Sequence, residues 1–352
     1  MPFTSRLIRW YDRNKRDLPF RGTRDPYLVW ISEVILQQTR MEQGLGYYAR
    51  FVERFPDIRA LASGTEEEVL KLWQGLGYYN RARHLHASAV HLVNDSGGLF
   101  PGTFNGIRGI KGIGDYSAAS IASLCFDEPV PAIDGNVFRF VARYTGIADP
   151  AGSAKGKQKA MEWCLAQMDR NDPGTFNQAM IEFGALVCKP ARPDCDGCQF
   201  RTSCYAFSRK LTGSLPVKQR PAKVRHRYFH YLVIVKEQKG IPHVVIRKRT
   251  GNDIWKNLYD FPLIETGKKI SARSLSRSEA FRSLFPDREA MILRVYGTSR
   301  HVLSHQVIHA TFYRTDGNVS ASSPGISVSP GSLSRYPMPR LISRFIQESL
   351  FM

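Results

Sequence analysis

Four cysteines crowd into seventeen residues: Cys188, Cys195, Cys198 and Cys204, spaced C-x6-C-x2-C-x5-C. Thiols so close can surround one metal centre, because a C-x2-C turn aims both sulfurs the same way. Ligand type leaves zinc and iron–sulfur open, since both accept four thiolates. Two disulfides are the third possibility and fit a reducing compartment poorly. Two carboxylates also stand at informative positions. Glu33 interrupts WISEVILQQTR (30–40), a helical stretch otherwise almost all apolar or small through Leu36. A charge there must be paired, capped or put to use. Asp134 precedes Gly135 in PAIDGNVFRF (131–140) at an expected helix start, where taken alone it would be an N-cap. Between them IKGIGDYSAASIASL (110–124) carries Gly112-x-Gly114 at a turn followed at once by a helix. Such a turn lets backbone approach a phosphate, and the helix N-terminus offers it free N–H groups. Cys125 and Cys164 lie in apolar helical contexts and read as small buried hydrophobes.

The elements that must position these residues fall into two groups. At 352 residues, with 43% hydrophobic and 11% aromatic content, the chain is globular and too long for one ordinary core. Residues 1–187 read as helix after helix, punctuated by Pro19, Pro26, Pro56, Pro101 and Pro173. A domain is therefore expected over 1–204, all-α, ending in the cysteine loop 188–204. A basic linker with no apolar period is expected over 205–227. From 228 to 352 an α+β domain is expected, with strands at 228–235, 243–248, 258–265, 292–299 and 309–315 and a helix at 274–285. Residues 317–331, rich in Ser, Gly and Pro, read as a loop. The formal charge of +19 is uneven: +3 over 1–204, +7 over 205–227 and +9 over 228–352. A polyanion is the first candidate partner, held largely by the later segments. No 18-residue apolar run occurs and the N-terminus has no signal-peptide core, so no membrane association and a cytoplasmic location are expected.

The hairpin, its helix, the aspartate some twenty residues later and the four-cysteine loop together resemble the helix-hairpin-helix glycosylases of the endonuclease III superfamily. That resemblance implies a [4Fe–4S] cluster on Cys188, Cys195, Cys198 and Cys204. It also implies that the hairpin, with Gly112 and Gly114, holds the DNA backbone, often with a monovalent cation. Lys111 stands where the superfamily commonly has proline. Within it, residues 30–40 resemble the catalytic helix of MutY-type adenine DNA glycosylases, and LWQGLGYYNRAR (72–83) resembles their wedge region. The likeness runs from about 5 to 206 and, more loosely, from 228 to 350.

The family resemblance implies a chemistry. Glu33, kept protonated by burial, would give adenine its N7 proton as general acid, and Asp134 would stabilise or trap the oxocarbenium-like sugar. Tyr116 and Asn136 would orient these carboxylates. Gln38 and Thr39 beside the flipping void, and Tyr78 as a stacking wedge, would hold the opened duplex. Arg21 and Gln178 would make contacts in the pocket. Bifunctional relatives carry a Schiff-base lysine two residues after the hairpin's last glycine; here that residue is Tyr116, so little or no lyase activity is expected. The second domain resembles a Nudix fold without its catalytic box, and HVLSHQ (301–306) aligns with the family's Phe-Ser-His loop. Ser304 and His305 would read 8-oxoguanine, with Leu303 in place of the aromatic. The expectation is a monomeric, monofunctional glycosylase acting on double-stranded DNA with A·8-oxoguanine or A·G mispairs, nucleoid-associated if bacterial. A thymine or other pyrimidine mismatch glycosylase on the same fold is the alternative.

Overall fold

The computed structural model describes residues 2–218, 224–285, 290–317 and 325–350. The chain forms two compact units: residues up to 63 with 84–220, and 64–83 with 221 onward.

The first unit is helical, with no strand among its described residues. Its helices begin where the chain supplies caps. Asp25 accepts the Tyr27 N–H at 2.8 Å and Pro26 sits in the first turn of the helix Pro26–Leu36, which is buried almost all round. Asp172 and Pro173 do the same for Pro173–Leu186. Helix Gly135–Thr145 starts on Asp134 and ends on Gly146, whose φ of +84° is a left-handed cap. The core lies among Phe3–Asn14, Gly135–Thr145, Ala154–Gln167 and Pro173–Leu186. Phe200, from the cysteine loop, is wholly buried there, its ring 4.6 Å from Phe3 and 5.2 Å from Phe183. The loop is thereby anchored in the core, and truncating such a ring costs roughly 3–5 kcal/mol. Cys164 is buried and Cys125 half-buried.

The expected linker is mostly part of this unit. Tyr205–Ser208 is helical, Leu215 is buried, Arg143 donates to the Leu215 carbonyl at 2.9 Å, and the Ala151 N–H donates to Val217 O at 2.9 Å. The basic composition misled because Arg209, Lys210 and Lys218 are exposed while the backbone around them is pinned.

The second unit is built on a mixed sheet. Strands β1 (Arg225–Gln238), β2 (Ile241–Lys248), β3 (Tyr259–Asp260), β4 (Leu263–Thr266), β5 (Ile292–Val302), β6 (Gln306–Thr315) and β7 (Ile326–Val328) run in the order β3-β2-β1-β6-β5. β1 pairs parallel with β6; its other edge is shared by β4 at the start and β2 at the end. The strand expected at 258–265 is broken at Phe261–Pro262, where Pro262 offers a carbonyl to Leu232 but no N–H. The expected helix 274–285 is two, Ala272–Ser276 and Glu279–Leu284, because Ser278 caps the second by accepting the Phe281 N–H. The expected 317–331 loop contains β7, which pairs with β2; its 318–324 portion lies outside the described residues.

Residues 64–83 belong to this unit. Glu66–Leu72 is a helix with a Thr65–Glu68 capping box. Glu67 accepts from Lys248 Nζ at 3.3 Å and Tyr259 OH at 3.2 Å, while Gln74 accepts the Met338 N–H.

Candidate active site

A cavity of about 960 Å³ opens in the first unit, lined among others by Glu33, Gln38, Thr39, Tyr116, Asp134 and Asn136. Arg21, Gly114 and Gln178 line it too. The helix Pro26–Leu36 brings Glu33, Asp115–Cys125 brings Tyr116, and the start of Gly135–Thr145 brings Asp134.

Glu33 Oε1 accepts from Ser120 Oγ at 2.6 Å and Tyr116 OH at 3.3 Å. Burial pushes the Glu33 pKa up to about 7, against the lowering effect of those two hydrogen bonds, and the Asp134 charge adds to the rise. Burial, then the charges of Glu33 and Asp134, holds the Tyr116 phenol well above its ordinary value, so it serves as a donor. Asp134 Oδ1 accepts the backbone N–H groups of Asn136 and Val137 at 2.8 and 2.7 Å, and Oδ2 accepts Asn136 Nδ2 at 2.6 Å. Burial raises the Asp134 pKa while these donors oppose the rise. Asp134 is thus both an N-cap and a cavity residue. Asn136 is itself held by Arg139 Nη2 at 2.8 Å, and Arg139 Nε reaches the Cys188 carbonyl at 2.7 Å. A chain of hydrogen bonds therefore connects the cavity carboxylate to the cysteine loop.

Three cavity features escaped the sequence reading. Ser120 is one; its place one helical turn after Tyr116 is the signal that marks it. Glu182 is the second, buried in the cavity wall with Arg16 and Arg21, its Oε2 2.8 Å from Arg16 Nη2 and 3.0 Å from Arg21 Nη2. Although its own burial acts in the opposite direction, these guanidinium bonds bring its pKa down to about 2. The third is the support of Gln178 by Tyr11, which lies outside the lining and donates to Gln178 Oε1 at 2.6 Å. No local pattern joins residues more than 160 positions apart.

Other expected residues lie elsewhere. Gly112, with φ +85°, is at the hairpin turn before the helix Asp115–Cys125; a Cβ there would come within 2.7 Å of His84 Cβ. Tyr78, Leu303, Ser304 and His305 are in the second unit, where the Tyr78 hydroxyl hydrogen-bonds Ser304 Oγ. Ser304 and His305 are exposed at the tip between β5 and β6, closed by the Leu303 N–H on Gln306 O at 2.9 Å. Gln38 and Tyr78 both adopt left-handed backbone, φ +55° and +50°, the kind of strain that gathers at ligand clamps.

Cys188, Cys195, Cys198 and Cys204 are unpaired and line one cavity of about 30 Å³ with Phe140, Phe200 and Arg143 among its other walls. Arg143 Nη1 stands 3.4 Å from Cys188 Sγ. Among the described residues, no three His, Cys, Asp or Glu side chains are grouped to hold a single metal ion.

Comparison with known proteins agrees with the fold. Residues 31–165 match the HhH-GPD superfamily of base excision DNA repair proteins, and residues 230–348 match a NUDIX domain. Among solved structures, a thermostable thymine-DNA glycosylase is 25% identical with a TM-score of 0.53, covering 59% of this chain and 95% of its own. A trapped endonuclease III–DNA covalent intermediate, 19% identical with a TM-score of 0.51, shares the fold over 59% of this chain and 95% of its own. The chain is thus a helix-hairpin-helix protein of the base-excision repair class. The adenine DNA glycosylase of Buchnera aphidicola subsp. Acyrthosiphon pisum is 34% identical over 261 residues, 74% of this chain and 73% of that relative. That of Mus musculus is 42% identical over 225 residues, 60% of this chain and 43% of that relative. This chain belongs to the adenine DNA glycosylase family; it spans less than half the length of the mouse and rat relatives it matches.

Proposed function

We propose that the protein removes adenine mispaired with 8-oxoguanine or guanine in double-stranded DNA. The observation that carries this reading is Glu33, a carboxyl with a pKa near 7 in the same cavity wall as Asp134. A flipped adenine enters the cavity, and protonated Glu33 gives its proton to N7. The C1′–N9 bond then breaks with its electron pair leaving on adenine. The Asp134 carboxylate, held by Asn136 and the helix N–H groups, faces the cationic sugar, stabilising it or bonding to C1′. Glu33, now a carboxylate, takes a proton from the water that adds to C1′ and is reset. Tyr116 and Ser120 orient Glu33; Arg21 and Gln178 contact the base; Gln38, Thr39 and Tyr78 hold the opened duplex.

The residues of the cysteine loop fit a [4Fe–4S] cluster. Four cysteine sulfurs line one cavity, the number a cubane needs at one thiolate per iron, and the family resemblance favours that cluster over zinc. Cys188, Cys195, Cys198 and Cys204 would hold such a cluster, which would tie the two ends of the 188–204 loop together. The hairpin around Gly112 and Gly114 holds DNA phosphate, with a monovalent cation. On this reading the protein acts on chromosomal DNA in the cytoplasm; no helix among the described residues is long and apolar enough to cross a membrane. With Tyr116 in place of an amine, no imine forms by the usual route. Alkali-revealed strand scission of duplexes with A·8-oxoguanine, A·G, T·G and thymine glycol tests the whole reading. Scission of the first two is expected; preference for T·G, or borohydride trapping no weaker than in Tyr116→Lys, would overturn it.

A further inference from the structure

One face of the second unit's sheet is covered by helices at one end only. There Leu232, Ile234, Ile264 and Tyr313 pack on Leu275 and Phe281. Alternate strand residues share a face, so His226 and Tyr228 lie on that same side, further back along β1. In register beside Tyr228 is His309 of β6, and beside His309 is Arg300 of β5. His309 stacks on Tyr228, centroids 4.8 Å apart at 13°, and meets His226 edge to edge, centroids 5.3 Å apart with His226 Nδ1 3.0 Å from His309 Nε2. His226, Arg300 and Lys269 are exposed. Besides partial burial, the groups that depress the His309 pKa are His226, Arg300 and Lys269, with no carboxylate among them. The stripe is continuous with the Ser304–His305 tip, since the Arg225 N–H just before His226 donates to His305 O at 3.1 Å.

We propose that this stripe, His226, Tyr228, His309, Arg300 and Lys269, is a docking surface for the DNA sugar–phosphate backbone next to the lesion-reading loop. The partner follows from charge and from what the rings leave free. His309 covers a face of Tyr228 and shares one ring N–H with His226, which leaves an outer imidazole N–H and the Tyr228 hydroxyl to donate to phosphate oxygens, flanked by Arg300 and Lys269, which form no ion pair with a carboxylate among the described residues. Backbone contacts position a duplex without reading it. The inference rests on the reading of the protein as a DNA enzyme.

Anisotropy titration of the full-length protein with A·8-oxoguanine and undamaged duplexes over a salt series tests it. Arg300→Ser with Lys269→Ser should weaken both duplexes by the same factor. It should also make the slope of log K against log salt shallower by about 2, roughly 0.9 per phosphate contact. His226→Ala with His309→Ala should weaken both duplexes by one factor, with a smaller change in slope than the loss of the two fixed cations gives. Unchanged affinity in both double variants overturns the proposal, as does a loss confined to the 8-oxoguanine duplex, which would make the stripe a lesion reader. Adenine release by the wild type is read on the same samples: its absence sinks the proposed function, whereas variants indistinguishable from an active wild type sink the stripe alone.

Discussion

At the scale of single residues, the cavity depends on where proton affinity has been moved. Glu33 is raised to about 7 chiefly by burial, so half its population carries a proton near neutral pH. An acid is useful only while protonated. Single-turnover adenine release should therefore hold below about pH 7 and fall as pH rises through it, and Glu33→Gln should abolish release while binding of the mispair persists. Near-normal release by that variant would remove Glu33 from the mechanism. Glu182 has been moved the other way, to about 2, by Arg16 and Arg21. A depressed carboxyl lends stability above its unfolded pKa, and that contribution disappears as pH falls toward 2. Glu182→Gln would leave two guanidinium groups facing each other in a buried wall, a loss of roughly 3 kcal/mol. Denaturant unfolding at neutral pH checks this; a variant as stable as the wild type would mean the pair relaxes into solvent.

The elements carry the second level of the argument. Helix Pro173–Leu186 meets the start of Gly135–Thr145 at Gly184, where a Cβ would stand 2.5 Å from the Asn136 carbonyl. Only glycine lets the Asp134–Asn136 turn sit this close, and Gly184→Ala should slow excision by displacing that turn. A normal rate in the folded variant would show that the turn tolerates the shift. The cysteine loop is fastened from both sides, by Phe200 in the aromatic core and by Arg139 and Arg143 on its carbonyls at Cys188, Lys189 and Pro190. Purified protein is expected to be brown, with four iron atoms per chain. A colourless protein with one zinc and no sulfide would replace the cluster by a single-ion site. The hairpin, the Glu33 helix and the Asp134 cap were legible because each is local: Gly112-x-Gly114, an acid in an apolar run, an aspartate before a helix. The Arg139 connection and the Glu182 wall were not, because they join positions far apart in the chain.

For the whole molecule, the division into units changes what a truncation means. Residues 64–83, with the wedge candidate Tyr78, go with the Nudix-like unit, and the Tyr78 hydroxyl meets Ser304 inside it. Removing everything after residue 220 therefore strips Glu67 and Gln74 of Lys248, Tyr259 and Met338. The shortened protein should still release adenine, more slowly, and prefer A·8-oxoguanine over A·G much less. Ser304→Ala with His305→Ala should move the full chain the same way, since each lost base contact is worth about 1–3 kcal/mol of discrimination. The ratio between the two mispairs at one salt concentration is the measure, because bare affinity falls with the lost charge alone. An unchanged ratio in both would place lesion reading elsewhere.

Local chemistry let the amino-acid order alone determine a great deal. The four-cysteine spacing, the turn glycines, the cap at Asp134, and the change from helical to alternating periodicity near residue 225 are all set within a few residues of one another, where spacing is geometry. Tertiary structure decided the rest. It broke the expected 258–265 strand at Pro262, split the 274–285 helix at Ser278, drew 205–218 into the first unit and gave 64–83 to the second. It also brought Ser120 onto Glu33 and Arg139 between Asn136 and Cys188. The physical reason is common to all of these. A backbone amide, a serine hydroxyl or a guanidinium has several partners within reach in sequence, and which one it takes is settled only when packing leaves a single partner to satisfy it out of water.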